Sequence, residues 1–268
     1  MVGHTVYEFG GETVIVTGST TGIGYGIAKA FADTGADVVV NSRTESAVEE
    51  TAAELSNVGE GSVLGVTADL SRSDEIEQLV DRAVDEFGRV DALVNNAAVW
   101  PAEDSMVDAS LEEWETTMNV NVRAQYYASK LVAEHMTDRG MRGSIVNLSS
   151  QTGDRRTGNR GLYGVSKTAV NGLTWRMAHD LAREGIRMNA VSTDVTDSRQ
   201  LRHEASQVAA EQPERTTGDV LEEWGRERPL GRLGQPDDIA DAVLFLCSNA
   251  ASYVTGTILR VSGGGNLQ

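Results

Sequence analysis

The segment Thr13-Val14-Ile15-Val16-Thr17, followed directly by Gly18-Ser19-Thr20-Thr21-Gly22-Ile23-Gly24, decides the fold. The short β-branched run predicts a strand, and the glycines after it predict a tight turn that opens a helix reaching about Thr34. Glycines between a strand and a helix let the backbone approach a pyrophosphate, which the helix N-terminus then attracts. The spacing is GxxxGxG rather than GxGxxG, so the segment alone also fits a turn that merely needs glycine.

The alternation of strand and helix continues along the chain. Further apolar, β-branched runs predict strands at 36–41, 62–68, 91–96, 143–150, 186–192 and 257–262. Near-continuous apolar strands that alternate with helices predict an α/β fold, a Rossmann-type doubly wound parallel sheet of about seven strands with helices on both faces. No linker or repeat interrupts the pattern. We therefore predict one domain over 1–268, with a polar helical excursion at about 194–233.

The composition excludes several classes of protein. The 268 residues are 40% hydrophobic, which is enough for a large core, and the single cysteine excludes a disulfide scaffold. No apolar run approaches the roughly 20 residues of a membrane helix, and the first residues do not resemble a signal peptide. We expect a soluble, cytoplasmic protein without a membrane partner. The four histidines lack metal-ligand spacing, so no metal site is predicted.

The charge is strongly negative, with 40 acidic and 23 basic residues and a net charge of −17, and only three of the basic residues are lysines. This balance argues against nucleic acid as a partner. Self-repulsion at such a charge is relieved by salt, because the screening length falls to about 3 Å at 1 M ionic strength. We therefore predict a halophilic protein. An ordinary acidic protein would explain the charge but not the scarcity of lysine.

The stretch Tyr163-Gly164-Val165-Ser166-Lys167 carries the chemistry. Tyr163 and Lys167 are four residues apart and share one helix face, and Ser150 ends the fifth predicted strand, thirteen residues before Tyr163. Ligands of open parallel sheets bind at such strand ends. A phenol can protonate an oxygen that receives negative charge, a neighbouring ammonium favours the phenolate for the reverse step, and a serine hydroxyl can donate to the same oxygen.

Together with Asn95-Asn96-Ala97-Ala98, these motifs resemble the short-chain dehydrogenase/reductase family in its compact single-domain form, over Thr13 to Gly264. The resemblance implies a nicotinamide-dependent oxidoreductase for an alcohol or carbonyl compound, similar to 3-oxoacyl reductases and sugar 1-dehydrogenases. It also implies a homotetramer built through the two longest helices and the C-terminal strand. The implied catalytic residues are Asn121, Ser150, Tyr163 and Lys167.

Two of these catalytic residues have further implied roles. The resemblance has Lys167 hold the nicotinamide ribose, while Asn121 links Lys167 to a chain of water molecules. Asn121 also fits a helix-kinking polar residue without a proton role.

The resemblance also implies a cofactor site, and the residues after the second strand indicate which cofactor. Ser42 stands where NAD-selective folds carry an acid, and Arg43 offers a planar fork suited to phosphate, so NADP(H) is preferred over NAD(H). Thr21 opposes this choice, because many NADP-binding relatives carry Lys or Arg there, and Thr193-Asp194 replaces the usual Pro-Gly. The predicted cofactor-binding residues are Gly18, Thr20, Gly22, Ile23, Gly24, Ser42, Arg43, Asp69, Leu70, Asn96, Tyr163, Lys167 and Thr196.

The substrate is a small alcohol or carbonyl compound whose identity stays open. Arg155, Arg156 and Arg160 either capture an anionic substrate or pair with Asp154 and neighbouring acids. Polar lining from Gln151, Asn159 and Thr193 would suit a sugar, with a 3-oxoacyl thioester as the other candidate, and Trp100 or Trp224 can wall the pocket. Two other functions stay open. They are a redox sensor without turnover, which the Ser-Tyr-Lys set opposes, and a sugar-nucleotide epimerase or dehydratase, which usually has a larger C-terminal region.

Overall fold

The computed structural model describes residues 7–101, 105–154, 160–212 and 214–267. Its strands are β1 (Thr13–Val16), β2 (Asp37–Ser42), β3 (Val63–Thr67), β4 (Ala92–Asn95), β5 (Gly143–Ser150), β6 (Ile186–Thr193) and β7 (Ile258–Val261). Its helices are α1 (Gly22–Asp33), α2 (Glu45–Leu55), α3 (Ser73–Phe87), α4 (Leu111–Met118), α5 (Ala124–Asp138), α6 (Gly161–Leu181), α7 (Arg199–Ala210), α8 (Thr217–Arg226) and α9 (Pro236–Cys247). A π-helical segment, Asn119–Arg123, joins α4 to α5.

The seven strands form one parallel sheet in the order β3-β2-β1-β4-β5-β6-β7. The chain builds outward from β1 through β2 to β3, and β4 then starts the other half of the sheet beside β1. The direction of winding therefore reverses between β1 and β4, where open parallel sheets bind ligands at the carboxyl ends of their strands. The predicted Rossmann-type parallel sheet of seven strands is confirmed.

The central strands are buried on both faces. Val14 and Val16 of β1 pack into a core with α1 and α9, whereas Ile15 between them packs into a second core with α3 and α5. All three side chains are fully buried, and burial of an aliphatic side chain of this size is worth about 1.5–3 kcal/mol. Because successive side chains of a strand point to opposite faces, two covered faces require a continuous apolar run.

The predicted excursion at about 194–233 contains α7 and α8. They pack on each other through a small core of Leu201, Ala205, Val220 and Leu221. Ser198 caps α7, since its hydroxyl accepts a hydrogen bond from the Leu201 amide, and this end of α7 points to the carboxyl ends of the strands. That residues 1–268 form a single domain stays a prediction. Across the described residues, none of the helices has the length and apolarity needed to cross a membrane.

Candidate active site

A cleft of about 300 Å³ lies at the carboxyl ends of β1, β2 and β4. Gly18 and Gly22 adopt φ angles of +62° and +58°, a region that glycine enters without the steric cost of a Cβ. A Cβ on Gly18 would lie 2.9 Å from the Ala97 Cα, so the turn after β1 sits directly on the backbone after β4. The predicted cofactor residues that line this cleft are Gly18, Thr20, Gly22, Ile23, Gly24, Ser42, Arg43, Asp69, Leu70 and Asn96.

Side-chain amides hold the glycine turn in place. Asn96 donates from Nδ2 to the carbonyls of Thr17 and Gly18, both at 2.9 Å. The buried Asn41 lies below the turn and donates from Nδ2 to the carbonyls of Val66 and Ala68. The amide hydrogens of Asn96 are thus used by the turn itself. Asn96 shapes the cleft by fixing its backbone.

Two residues after β2 define the outer end of the cleft. Ser42 accepts a hydrogen bond from the Thr44 amide at 3.2 Å. Arg43 is exposed, and its guanidinium has no hydrogen-bond or ion-pair partner among the residues that the structure describes. An unpaired guanidinium in a chain with a charge of −17 is available to an anion, and its planar fork fits a phosphate.

Ser150, Tyr163 and Lys167 meet in a second cavity beside the cleft, which Thr196 also lines. Helix α6 directs Tyr163 and Lys167 toward the end of β5, and both side chains are buried. The Lys167 Nζ donates to the Leu148 carbonyl at 2.7 Å and lies 5.5 Å from the centre of the Tyr163 ring. The Ser150 Oγ is 2.6 Å from the Thr152 Oγ1. The structure therefore brings three of the four predicted catalytic side chains together.

Burial determines the protonation states of Tyr163 and Lys167. It raises the pKa of Tyr163 well above its usual value, against the opposing effects of the Arg160 charge and a hydrogen bond with Ser150. Burial also lowers the pKa of Lys167 to about 7. At neutral pH the phenol therefore keeps its proton and can donate it, while the amine is charged only part of the time.

Asn121, the fourth predicted residue, lies in the π-helical segment and is fully buried. Its Oδ1 accepts from the Val99 amide at 2.8 Å, and its Nδ2 donates to the Val99 carbonyl at 2.9 Å and to the Ser166 Oγ at 3.1 Å. The Ser166 hydroxyl in turn donates to the Tyr163 carbonyl at 2.7 Å. The Asn121 side chain thus ties the loop after β4 to the first turns of α6, and π segments of this kind are frequent at functional sites.

Trp100 and the start of α7 complete the walls. The Trp100 ring stacks on Tyr163, with centroids 4.9 Å apart and planes inclined by 19°, and it borders both the cleft and the cavity. The cleft is also lined by Ser198, Arg199 and Gln200, which were not among the residues predicted from the sequence. The signal in the sequence is Ser198 itself, since serine before an amphipathic stretch is typical of a helix N-cap.

Two arginine–carboxylate pairs also line the cavity. The Arg160 guanidinium hydrogen-bonds to the Glu204 carboxylate across the opening, and the Arg228 Nε lies 2.9 Å from the Asp194 Oδ2. Gln151 and Thr193 also line it, and Trp224 borders the outer opening. Asp154 pairs with Arg260 at 3.0 Å, and Arg160, the one of its predicted arginine partners that the structure describes, pairs with Glu204 instead. Arg155, Arg156 and Asn159 lie outside the described residues.

The chain is similar to known proteins over almost its whole length. A protein-family model described as "Enoyl-(Acyl carrier protein) reductase" matches residues 18–266. The chain is 35% identical over 260 residues to "Dehydrogenase/reductase SDR family member 4" of Caenorhabditis elegans, covering 96% of each chain. It is 33% identical to 2-dehydro-3-deoxy-D-gluconate 5-dehydrogenase of Escherichia coli K12, covering 97% of each.

Solved structures give the same picture. The L-sorbose reductase of Gluconobacter frateurii, complexed with NADPH and L-sorbose, superimposes with a TM-score of 0.91 at 25% identity, covering 97% of this chain and 98% of that one. The 3-ketoacyl-(acyl-carrier-protein) reductase of Brucella melitensis, complexed with NADH, has a TM-score of 0.84 at 31% identity and covers 96% and 98%. These two neighbours are complexed with different nicotinamide cofactors.

Proposed function

The chain belongs to the short-chain dehydrogenase/reductase family, and we propose that it is an NADP(H)-dependent oxidoreductase that acts on a secondary alcohol or carbonyl group of a polar substrate. The observation that carries this proposal is the buried group of Tyr163, Ser150 and Lys167 beside the glycine cleft. The cleft fits a dinucleotide, because its turn needs glycine at two positive φ angles and has no room for a Cβ on Gly18. Neither the sensor nor the epimerase or dehydratase alternative gains support from the relatives.

In the direction of reduction, the residues of the cavity handle the proton and the charge. The bound cofactor supplies a hydride to the carbonyl carbon. Ser150 donates a hydrogen bond to the carbonyl oxygen and fixes its position, and Tyr163 transfers its phenolic proton to that oxygen as negative charge develops. For the reverse reaction, Tyr163 takes the proton of the alcohol, and the positive charge of Lys167 stabilises the phenolate. Lys167 would also hold the ribose next to the nicotinamide, and Thr196 would contact its carboxamide.

The preference for NADP(H) is supported by the end of β2. Ser42 places no negative charge there that would repel a 2′-phosphate, and beside it lies the guanidinium of Arg43, which has no partner among the described residues. Charge-assisted hydrogen bonds of arginine to phosphate are short and often bidentate, so they depend less on long-range attraction than a lone surface charge does. Thr21 supplies no additional cation.

A polar substrate, such as a sugar, is supported by the lining of the cavity. Ser150, Gln151 and Thr193 contribute uncharged polar groups, and the two arginine–carboxylate pairs contribute donors and acceptors. A 3-oxoacyl thioester stays the second candidate, because one structural neighbour is a ketoacyl reductase.

The homotetramer also stays a proposal. It is supported by large apolar side chains exposed on α4, α5 and α6, among them Trp114, Tyr126 and Trp175, since such exposed groups often mark contact surfaces.

The decisive experiment is the substitution Tyr163→Phe. We expect it to leave NADPH binding unchanged in a fluorescence titration and to reduce turnover by orders of magnitude, with sugars, short alcohols and acetoacetyl thioesters as test substrates. Tyr127→Phe is the matched control, because it removes a phenolic hydroxyl that binds Glu77 on the surface. If Tyr163→Phe kept most of the activity, the proposed role of Tyr163 would be wrong.

A further inference from the structure

The positive side chains of the substrate cavity are already neutralised within the cavity. Arg160 and Arg228 both line it, and each pairs with a carboxylate that lines it as well, Glu204 and Asp194 respectively. The Arg228–Asp194 pair is largely buried, with 13% and 12% of the side chains exposed. The third cation, Lys167, lies behind the Tyr163 ring on the Leu148 carbonyl. Among the described residues, each guanidinium that lines the cavity is paired with a carboxylate.

The Arg160–Glu204 pair lies where the cavity meets its outer opening. Both residues line the catalytic cavity and the wider opening outside it. Gln200 holds the other side of the carboxylate, donating from Nε2 to the Glu204 Oε1 at 3.1 Å. A substrate that reaches Tyr163 from this opening therefore lies beside a carboxylate and a guanidinium that are paired with each other.

The backbone of Arg160 has an unusual conformation. Its φ angle is +71°, and within the described ranges it is the one residue other than glycine with a positive φ. The left-handed region costs such a residue roughly 1–2 kcal/mol, and strained residues of this kind cluster at functional sites. The Arg160 carbonyl accepts from the Gly164 amide at 2.7 Å, so the strained residue leads directly into the turn of α6 that carries Tyr163.

Paired charges of this kind treat neutral and anionic substrates differently. A sugar hydroxyl is both a donor and an acceptor, so it can hydrogen-bond to the guanidinium and to the carboxylate at once. A substrate carboxylate gains nothing from Glu204 and is repelled by it, and it reaches Arg160 only by displacing an existing ion pair. Like charges placed together in this way are a common source of specificity.

We propose that the Arg160–Glu204 pair selects uncharged polyhydroxylated substrates over their carboxylate counterparts, with Glu204 as the specificity-determining residue. This inference rests on the proposed function and narrows its substrate class. In this proposal Arg160 does not bind an anionic substrate, because its guanidinium is already paired with Glu204.

The test compares aldoses with their uronic acids, because glucose and glucuronate, or galactose and galacturonate, differ only at C6. The ratio of kcat/KM for the aldose to that for the uronate is measured in the wild type and in Glu204→Gln at one fixed pH and salt concentration. We expect the wild type to favour the aldose, and Glu204→Gln to lower the ratio about tenfold by raising the value for the uronate, since one unpaired charge at close range changes binding by this order. Arg160→Gln should raise the ratio instead.

The matched control is Glu223→Gln, which removes one carboxylate from an arginine pair on the neighbouring α8, at a residue that does not line the cavity. Its ratio should equal that of the wild type. A wild type that favours uronates, or a ratio in folded Glu204→Gln within twofold of the wild type, would overturn the inference.

A binding measurement separates this result from failure of the proposed function. Dissociation constants of the same sugars are measured in the Tyr163→Phe background, with and without Glu204→Gln, by the tryptophan fluorescence of the protein. Trp100 and Trp224 border the cavity and its opening. If turnover were to persist in Tyr163→Phe, the proposed mechanism would fail, but the ratio of dissociation constants would still support the charge selection if it changes with Glu204 and overturn it if it does not.

Discussion

Replacement of Asn121 by alanine tests how the π-helical segment supports the site. The substitution removes three hydrogen bonds, two with the Val99 backbone and one with the Ser166 hydroxyl, at a fully buried position. Each such bond is worth about 1 kcal/mol, so we expect a loss of about 3 kcal/mol. A change of 1 kcal/mol shifts Tm by roughly 2–4 °C in a protein of about this size, which predicts a fall of about 6–12 °C.

The same substitution should reduce turnover as well as stability. Val99 precedes Trp100, whose ring stacks on Tyr163, and the Ser166 hydroxyl holds the Tyr163 carbonyl. Without Asn121, both contacts of Tyr163 lose their common support, and we expect kcat to fall at least about tenfold, since small misplacements of reacting groups have effects of this order.

Asn189→Ala is the matched control for Asn121→Ala. Asn189 is equally buried in β6, but its two hydrogen bonds go to Val254 and Thr257, away from the cavity. The control should lose about 2 kcal/mol of stability, and its kcat at 25 °C should equal that of the wild type. The assays are thermal unfolding followed by circular dichroism and steady-state kinetics at 25 °C. A smaller fall in Tm for Asn121→Ala than for Asn189→Ala, or an unchanged kcat, would refute the reasoning.

Three further predictions concern the cofactor, the buried lysine and the charge. Arg43→Ala should raise KM for NADPH roughly tenfold or more while leaving KM for NADH nearly unchanged, because only NADPH carries the 2′-phosphate, whose charge-assisted hydrogen bonds are worth about 1.5–3 kcal/mol; equal effects on both cofactors would contradict this. Burial lowers the folded-state pKa of Lys167 from 10.5 to about 7, so between these values the unfolded state binds more protons and stability gains from rising pH. Lys167→Met should abolish this gain, measured as the difference in Tm between pH 7 and pH 9.5, and a slope equal to that of the wild type would speak against it. Finally, screening of the net charge of −17 should raise Tm between low salt and molar KCl; an equal Tm would count against salt adaptation.

The sheet could be predicted closely because its signal is local. The run 143–150 coincides with β5, whereas β1 ends one residue before the predicted Thr17 and β6 continues one residue further, to Thr193. Strands covered on both faces need apolar side chains at successive positions, and this requirement is visible in any short window of the chain. The glycine turn and the four-residue spacing of Tyr163 and Lys167 are equally local, so their places at the site followed from the sequence.

The partners of the polar side chains were decided by the tertiary structure alone. Arg160 binds Glu204 and Asn121 binds Val99, although 44 and 22 residues separate these pairs along the chain. Such contacts arise where strand order and helix packing bring distant segments together. Short sequence patterns do not predict which distant segments meet. The protonation of Lys167 depends on the same packing, because only its burial in the folded chain lowers the pKa to about 7. Short patterns in the chain are therefore enough to predict the fold and the chemical groups of the candidate site, whereas the charges and contacts of those groups depend on long-range packing.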